Sequence, residues 1–387
     1  MMRIRYYVFC IAFYRAVVIT GMVVCLLVQP SALWAQQESA AKPDRKNAAW
    51  YYNKAVGLLR YPDSRETVNR IQEVIKVGWK DKDQELEEIL KNNEPAFREF
   101  QKALPLKKCD FDFGRKYEYI IQKETPAHSK IRNLCRLLLL KGRHYERGRR
   151  LKEAAETYLS ALTLAGHVAQ DNTVVMKMLA LVIEKETYAP FKDCIESGKL
   201  RRKDYLKIHD YLADYAVKHF SGAELIMLEE ESFLSSMALM VDRYIEDSFP
   251  GNGAQGKEAE KAKIVALGEE IKSQSQLFAD KYYGNFARAV TSNKDEEWEV
   301  ASSELNVLIQ EAKPKMEDIS GVIKAMVADS KAQENGSAVD KQVAHKIVLT
   351  LLSFCIPNFK GMAEGYYETL IQLDELKSLA LIQATKN

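Results

Sequence analysis

The segment 251–257 (GNGAQGK) has the residue types and spacing of a phosphate-binding loop. Such a loop needs a Ser or Thr hydroxyl after its lysine to hold magnesium, and a buried strand before it. Here Glu258 follows the lysine and would repel phosphate, and residues 242–249 read as the end of a helix. We therefore interpret 250–256 as a glycine-rich linker.

The stretch 110–114 (DFDFG) contains the triplet of protein kinases and two carboxylates at the spacing of a calcium loop. No HRD catalytic loop or strand-borne lysine signature accompanies the triplet. The third calcium ligand and the terminal glutamate are also missing. We interpret the stretch as a loop whose aromatic residues pack onto helices, with solvated acids between them.

The six histidines are scattered, and the chain has no HExxH or GxSxG string. No nucleophile or general base can be assigned from this pattern, and we expect no metal and no cofactor. Four cysteines, Cys109, Cys135, Cys194 and Cys355, follow the N-terminal 35 residues. An even count allows a disulfide between Cys109 and Cys135, whereas the position of Cys135 on an apolar helical stripe favours a buried thiol.

Aromatic residues occur side by side in three places, at 50–52, 282–286 and 366–367. Adjacent residues on a helix point about 100° apart, so one ring of each cluster can enter the core while its neighbour faces a groove. The candidate anchors for a protein or peptide partner are Trp50, Tyr52, Tyr283 and Phe286. Packing of these rings in the core is the alternative.

The N-terminal 35 residues have the layout of a secretory signal peptide. Arginines and no acids accompany the apolar run 16–28, and Pro30 and the small-residue stretch 31–35 (SALWA) follow it. We predict cleavage after Ala35 and a polar linker over 36–46. The alternative is an uncleaved anchor, because 16–35 is long enough to span a bilayer. With the leader cleaved, the protein is predicted to be periplasmic or extracellular. With the leader retained, it would be anchored in the inner membrane.

The composition is that of a globular helical protein. Of 387 residues, 47% are hydrophobic and 28% charged, with only 18 Gly and 10 Pro, which favours long helices over turn-rich β structure. The formal net charge of +2 falls to about −1 without the three leader arginines, so no global field recruits nucleic acid or anionic lipid. The basic stretches 141–152 and 199–207 contain acids and are interpreted as solvated helix faces.

Hydrophobic periodicity predicts helices along most of the chain after the leader. The predicted ranges are 47–61, a helix capped by Asp63 and Glu66, 82–103 interrupted at Pro95, 127–142, 149–167, 172–189, 202–219, 222–247, 257–290, 294–312, 315–331, 338–355 and 358–384. The fold class is therefore all-α. We predict a helical array over 47–249 and a C-terminal helical bundle over 257–387, joined by the linker.

The pattern between residues 135 and 167 is the most specific in the chain. Leu138, Gly142 and Tyr145 form one helical set, and the second set is Ala154, Tyr158 and Ala161. These types and gaps resemble the tetratricopeptide repeat, and residues 48–55 match the second half of such a repeat. The resemblance implies an array of antiparallel helical hairpins with irregular repeats, in which small residues allow close helix approach.

We expect an exported, non-catalytic binding or scaffold protein of the bacterial cell envelope, with a protein or peptide partner and no nucleic acid. Membrane contact is expected only if the leader is retained. Two alternatives stay open: an exported all-helical enzyme acting on polysaccharide or peptidoglycan, and a membrane-anchored sensor or assembly factor.

Overall fold

The computed structural model describes residues 44–111, 128–248, 258–292 and 359–386, with isolated helical positions at 297, 300, 301, 303, 344 and 348. The leader 1–35, most of the linker 36–46, the glycine-rich linker 250–256 and the helices predicted over 294–355 lie outside the fully described ranges. Their predictions stand as made.

The described part of the chain is all-helical, which confirms the predicted fold class. Its eleven helices are α1 Ala48–Leu58, α2 Arg65–Val77, α3 Gln84–Asn92, α4 Glu94–Ala103, α5 His128–Arg147, α6 Leu151–Val168, α7 Val174–Glu196, α8 Arg202–Lys218, α9 Gly222–Ser248, α10 Glu258–Ser292 and α11 Phe359–Lys386.

Contacts divide these helices into two compact units. One unit contains α1 to α8 and the residues of α11 from Glu364 onward. The other contains α9, α10 and the first residues of α11, up to Ala363. The helical array was predicted to extend over 47–249 and so to include α9. The contacts instead group α9 with α10.

In the first unit, α1 packs against α4, and α5, α6 and α7 pack against one another. The buried face of α1 carries small residues beside Tyr52, which lets the helix approach the rings of Phe97 and Phe100 on α4. The ring centroids of Tyr52 and Phe100 are 5.8 Å apart. Helix α2 covers α5, and α8 lies against α6.

The hairpin of α5 and α6 is packed around a glycine. A Cβ atom added at Gly142 would overlap the ring of Tyr158, so only glycine allows α5 to lie this close to α6. Tyr158 is fully buried and donates a hydrogen bond to Glu146, 2.8 Å away. Gly142 therefore lies inside α5, which continues to Arg147 instead of ending at 142 as predicted.

Other helix boundaries also differ from the sequence prediction: α1 ends at Leu58 instead of 61, and the break in 82–103 lies at Asn93 instead of Pro95. The side chain that caps α2 is that of Ser64, which accepts from the backbone N–H of Thr67, so the cap predicted at Asp63 is displaced by one residue. Helix α7 runs through Pro190 to Glu196 instead of ending at 189. Proline removes one helical hydrogen bond, but Phe191, Cys194 and Ile195 beyond it are buried, and their packing holds the last turns in place.

In the second unit, α9 and α10 pack along each other. The ring centroids of Phe233 and Tyr283 are 5.9 Å apart across this contact. Lys272 Nζ lies 2.9 Å from a carboxylate oxygen of Asp242.

Candidate functional site

The strongest convergence of ionisable side chains lies between α7, the end of α8 and α11. We call it the Glu184 cluster; its members are Lys177 and Glu184 on α7, Tyr215 on α8, and His219. Lys177 and Glu184 are seven residues apart, two helical turns, and so share one face of α7. His219 is four residues after Tyr215 and ends α8 in an extended conformation.

Glu184 receives donors from two directions. The Tyr215 hydroxyl donates a hydrogen bond to Glu184 Oε1. His219 Nε2 is 3.1 Å from both carboxyl oxygens of the same residue. The side chains of Glu184 and His219 are only 1% and 3% exposed, so this contact is shielded from water.

The other ring nitrogen of His219 determines where the protons are. His219 Nδ1 lies 3.0 Å from the carbonyl oxygen of Phe220, which can only accept, so Nδ1 carries a proton. A further proton must lie between Nε2 and the Glu184 carboxyl group, because two lone pairs would otherwise face each other. The pair therefore holds two protons in all and is neutral overall, whichever partner carries the shared proton.

The electrostatics agree with this assignment. Burial by itself would lower the pKa of His219, but the hydrogen bond and charge of Glu184 outweigh it, and the pKa is raised above its usual value. Burial, followed by the neighbouring Glu184, raises the pKa of Tyr215 well above its usual value. Tyr215 therefore stays a neutral donor.

A carboxylate, an imidazole and a phenol are the groups of general acid–base catalysis. In the Glu184 cluster, however, the hydrogen bonds of Glu184 and His219 close on neighbouring groups of the protein, and both side chains are almost fully buried. A substrate atom would have to displace one of these partners to come within hydrogen-bonding distance. In this conformation the cluster joins helices.

A second buried histidine has a different environment. His167 Nδ1 lies 2.7 Å from the Tyr52 hydroxyl, and the backbone carbonyl of Leu106 also hydrogen-bonds the ring. The carbonyl takes the single ring proton, so Nδ1 accepts from Tyr52 and the ring is neutral. Burial lowers the pKa of His167, which keeps it uncharged.

The four aromatic residues proposed as anchors differ in their exposure to solvent. Tyr52, Tyr283 and Phe286 are at most 3% exposed, so they pack the core and are not presented to a partner. Trp50 is half-buried and therefore accessible. The burial of the other three follows from their positions on the inner faces of α1 and α10.

Trp50 belongs to an accessible row on α1, which we call the α1 stripe: Trp50, Lys54 and Leu58. Steps of four residues keep these side chains on one side of the helix. Lys54 Nζ lies 5.8 Å from the centroid of a Trp50 ring, within cation–π range, and Leu58 is 46% exposed. The stripe combines an aromatic ring, a cation and an apolar side chain.

Cys109, Cys135 and Cys194 are free, buried thiols. The candidate bridge between Cys109 and Cys135 is not formed in this structure, where Cys109 lies in the loop after α4 and Cys135 is a buried thiol on the inner face of α5. Burial raises the pKa of each of these thiols, that of Cys194 to about 12. They pack as small apolar side chains of low reactivity.

Part of the basic stretch 141–152 is not solvated as predicted. Arg143 is 2% exposed; it donates to the Ile75 carbonyl at 3.0 Å and pairs with Glu146 and Asp193. Because its charge is balanced on two sides, a guanidinium can be buried there. Arg143 thereby ties α2, α5 and α7 together.

The described residues include no group of three or more His, Cys, Asp or Glu side chains placed to hold a metal ion. Among the helices in the described ranges, none has both the length and the apolar character needed to cross a bilayer. Of the motifs set aside above, residues 251–257 and 112–114 lie outside the described part of the chain.

The sequence prediction missed the Glu184 cluster because its two central residues are 35 positions apart. A signal was present in the apolar run of α7, which Lys177 and Glu184 interrupt on one face. A second signal was the row Tyr211, Tyr215 and His219, spaced by four. Neither row, taken by itself, predicts that it contacts the other.

No family model, curated protein or solved structure matches the chain.

Proposed function

We propose that this protein is an exported, non-catalytic binding or scaffold protein of the bacterial cell envelope. The observation that carries the proposal is the α1 stripe, an accessible row of ring, cation and aliphatic side chain on a helix whose opposite face is locked into the core. A rigidly held aromatic residue beside an apolar one is typical of the anchors in protein interfaces.

The proposed architecture is a tetratricopeptide-like array of helical hairpins with irregular repeats. The packing of Gly142 against Tyr158 supports it, because close approach at a small residue is what the resemblance implies. The buried alanines Ala154 and Ala161 on α6 are consistent with the same pattern. Stacked helices would give the stripe a stiff support.

Export is proposed from the arginine-flanked apolar run and the small residues that end at Ala35. The protein would lie in the periplasm or outside the cell, or on the inner membrane if the leader stays attached. N-terminal sequencing of the protein recovered from its host decides between these, since cleavage would leave Gln36 as the first residue.

The proposed partner is a segment of a second protein that places an apolar side chain on Trp50 and Leu58, with an acidic residue near Lys54. An acidic residue on the partner would complement the positive charge of Lys54, which supports this choice. No nucleic acid and no cofactor enter this proposal.

The test places a photo-crosslinking amino acid at position 50 of the full chain in its host, with position 217 as the control. Val217 is 86% exposed on α8, away from the stripe. We expect one discrete adduct at position 50 that is lost when Lys54→Glu and Leu58→Glu are combined with it, and no such adduct at position 217. Equal adducts at both positions, or none at 50, would contradict the proposal.

An enzyme assay separates the proposal from the catalytic alternative. The purified protein should leave peptidoglycan and envelope polysaccharides intact. Cleavage that Glu184→Gln abolishes, in a variant with unchanged circular dichroism, would assign catalysis to the Glu184 cluster and overturn the non-catalytic proposal.

A further inference from the structure

The Glu184 cluster is connected to the C-terminal helix through one carbonyl group. The Phe220 carbonyl oxygen accepts from His219 Nδ1 at 3.0 Å and from the Tyr366 hydroxyl of α11 at 2.9 Å. The His219 ring centroid is 4.6 Å from that of Phe220 and 5.6 Å from that of Tyr366. The position of the His219 ring therefore bears directly on the docking of α11.

Polar contacts of two kinds also join α11 to α7. Tyr188 donates to the Thr369 carbonyl at 3.2 Å in a buried contact. Lys185 and Lys192 pair with Glu368 and Glu375 at the surface, where such pairs are worth little. Among these polar contacts, only the one through Phe220 leads to a histidine, the side chain whose ordinary pKa lies closest to neutral pH.

The charged and titratable groups around the pair set the direction of the effect. From α7 come Glu184, Lys177 and Tyr188, from α8 Tyr211 and Tyr215, and from α11 Tyr366. Lys177 Nζ donates to the Ala169 carbonyl at 3.0 Å and lies 4.8 Å from the Phe220 ring centroid. Its positive charge opposes the extra proton on His219, but less than Glu184 favours it.

We propose that His219 and Glu184 form a proton-held latch that keeps residues 364–386 docked on α7 and on the segment that follows α8, and that the docking weakens as the pH rises. Loss of the shared proton leaves a nitrogen lone pair facing a carboxylate in a buried site with one net negative charge. The cost of this repulsion is relieved when the His219 ring moves away. Movement of the ring breaks the arrangement around the Phe220 carbonyl that holds Tyr366.

The experiment measures hydrogen–deuterium exchange of the purified protein between pH 6 and pH 9, corrected for the intrinsic exchange rate. Peptides from 364–386 report on the latch, and peptides from α5 and α6 are the internal control. We expect protection of 364–386 to fall as the pH rises, by about tenfold for each unit by which the pKa of His219 exceeds its unfolded value. Protection in α5 and α6 should change less than protection in 364–386.

Two histidine variants make a matched pair. His219→Gln removes the latch and should abolish the pH dependence in 364–386. His209→Gln, on the outer side of α8 beside the exposed Asp210, should keep the wild-type profile. Tyr366→Phe should lower the protection of 364–386 at every pH without moving the midpoint.

Glu184→Gln keeps the shape of the side chain but removes its charge, so the midpoint should move to lower pH. If His219→Gln does not fold, the pH profiles of Glu184→Gln and of the wild type still test the latch. Protection of 364–386 that does not change between pH 6 and 9 would overturn the proposal. A parallel loss in α5 and α6, or an equal effect of His209→Gln, would do the same.

Discussion

The pKa values of two buried histidines in the same compact unit are shifted in opposite directions. His167 lies between a phenol and a backbone carbonyl, and His219 lies between a carboxyl group and a backbone carbonyl. Burial disfavours the charged ring at both places. The pKa falls at His167 and rises at His219 because only His219 has an acidic partner. The chemistry of one neighbour, and not burial alone, decides the state of the ring.

The two histidines therefore contribute to stability with opposite dependence on pH. The folded-state pKa of His167 is lowered, so its contribution is present above the unfolded-state pKa and is lost as the pH falls through the folded-state value. The folded-state pKa of His219 is raised, so its contribution is complete below the unfolded-state pKa and is lost as the pH rises through the folded-state value.

Removal of the acidic partner should have the largest effect. Glu184→Ala leaves His219 without its counter-charge and Tyr215 without its acceptor, so the free energy of unfolding at pH 6 should fall by roughly 3–5 kcal/mol. Urea denaturation measures it. The control Asp214→Ala removes an exposed acid that pairs with Lys218 on α8 and should cost less than about 0.5 kcal/mol. Equal losses in the two variants would show that the buried pair has no special role.

Removal of the neutral partner should cost less. Tyr52→Phe deletes one hydroxyl and leaves His167 Nδ1 buried without a donor, which should lower the free energy of unfolding by about 1–3 kcal/mol. The neighbouring Tyr51→Phe, at a half-buried position, should change it by less than about 0.5 kcal/mol. A Tyr52→Phe protein as stable as the wild type would mean that the hydrogen bond to His167 is not formed.

The pH dependence sharpens the comparison further. The stability lost in His219→Gln, relative to the wild type, should be largest at pH 5 and shrink toward pH 8. The stability lost in His167→Gln should grow over the same interval. Urea titrations at each whole pH unit give both difference curves. Slopes of the same sign would contradict the opposite pKa shifts of the two rings.

The smallest effect is expected where a histidine and an acid meet at the surface. His209 Nδ1 lies 3.1 Å from Asp210, whose side chain is 79% exposed. His209→Gln should change the free energy of unfolding by less than about 0.5 kcal/mol, because water screens the pair. A larger loss would show that nearness to an acid, without burial, is enough to make a histidine matter.

The sequence predicted two helices to within two residues of their ends. The predicted range 202–219 compares with α8 at Arg202–Lys218, and 149–167 with α6 at Leu151–Val168. The two largest errors occur at residues that usually end helices. Gly142 and Pro190 lie inside α5 and α7 because packing against Tyr158 and burial of Phe191 outweigh local propensity.

The candidate site was less predictable. Of the four aromatic residues singled out, Trp50 alone is accessible, because the side of a helix that faces the core depends on what packs against it. The Arg143 network and the two histidine environments were not foreseen. Each joins residues from different helices, and helical periodicity contains no information about pairs of that kind.

The sequence by itself determined that this chain is helical, because residues three and four apart meet on one side of a helix whatever lies beyond it. The resemblance that includes Gly142 also indicated that α5 and α6 approach each other closely. Only the tertiary structure decided which histidine meets Glu184 and which meets Tyr52. The physical reason is range: the hydrogen bond and charge that set a buried ring's protonation act over a few ångströms, between groups that are 35 and 115 residues apart along the chain.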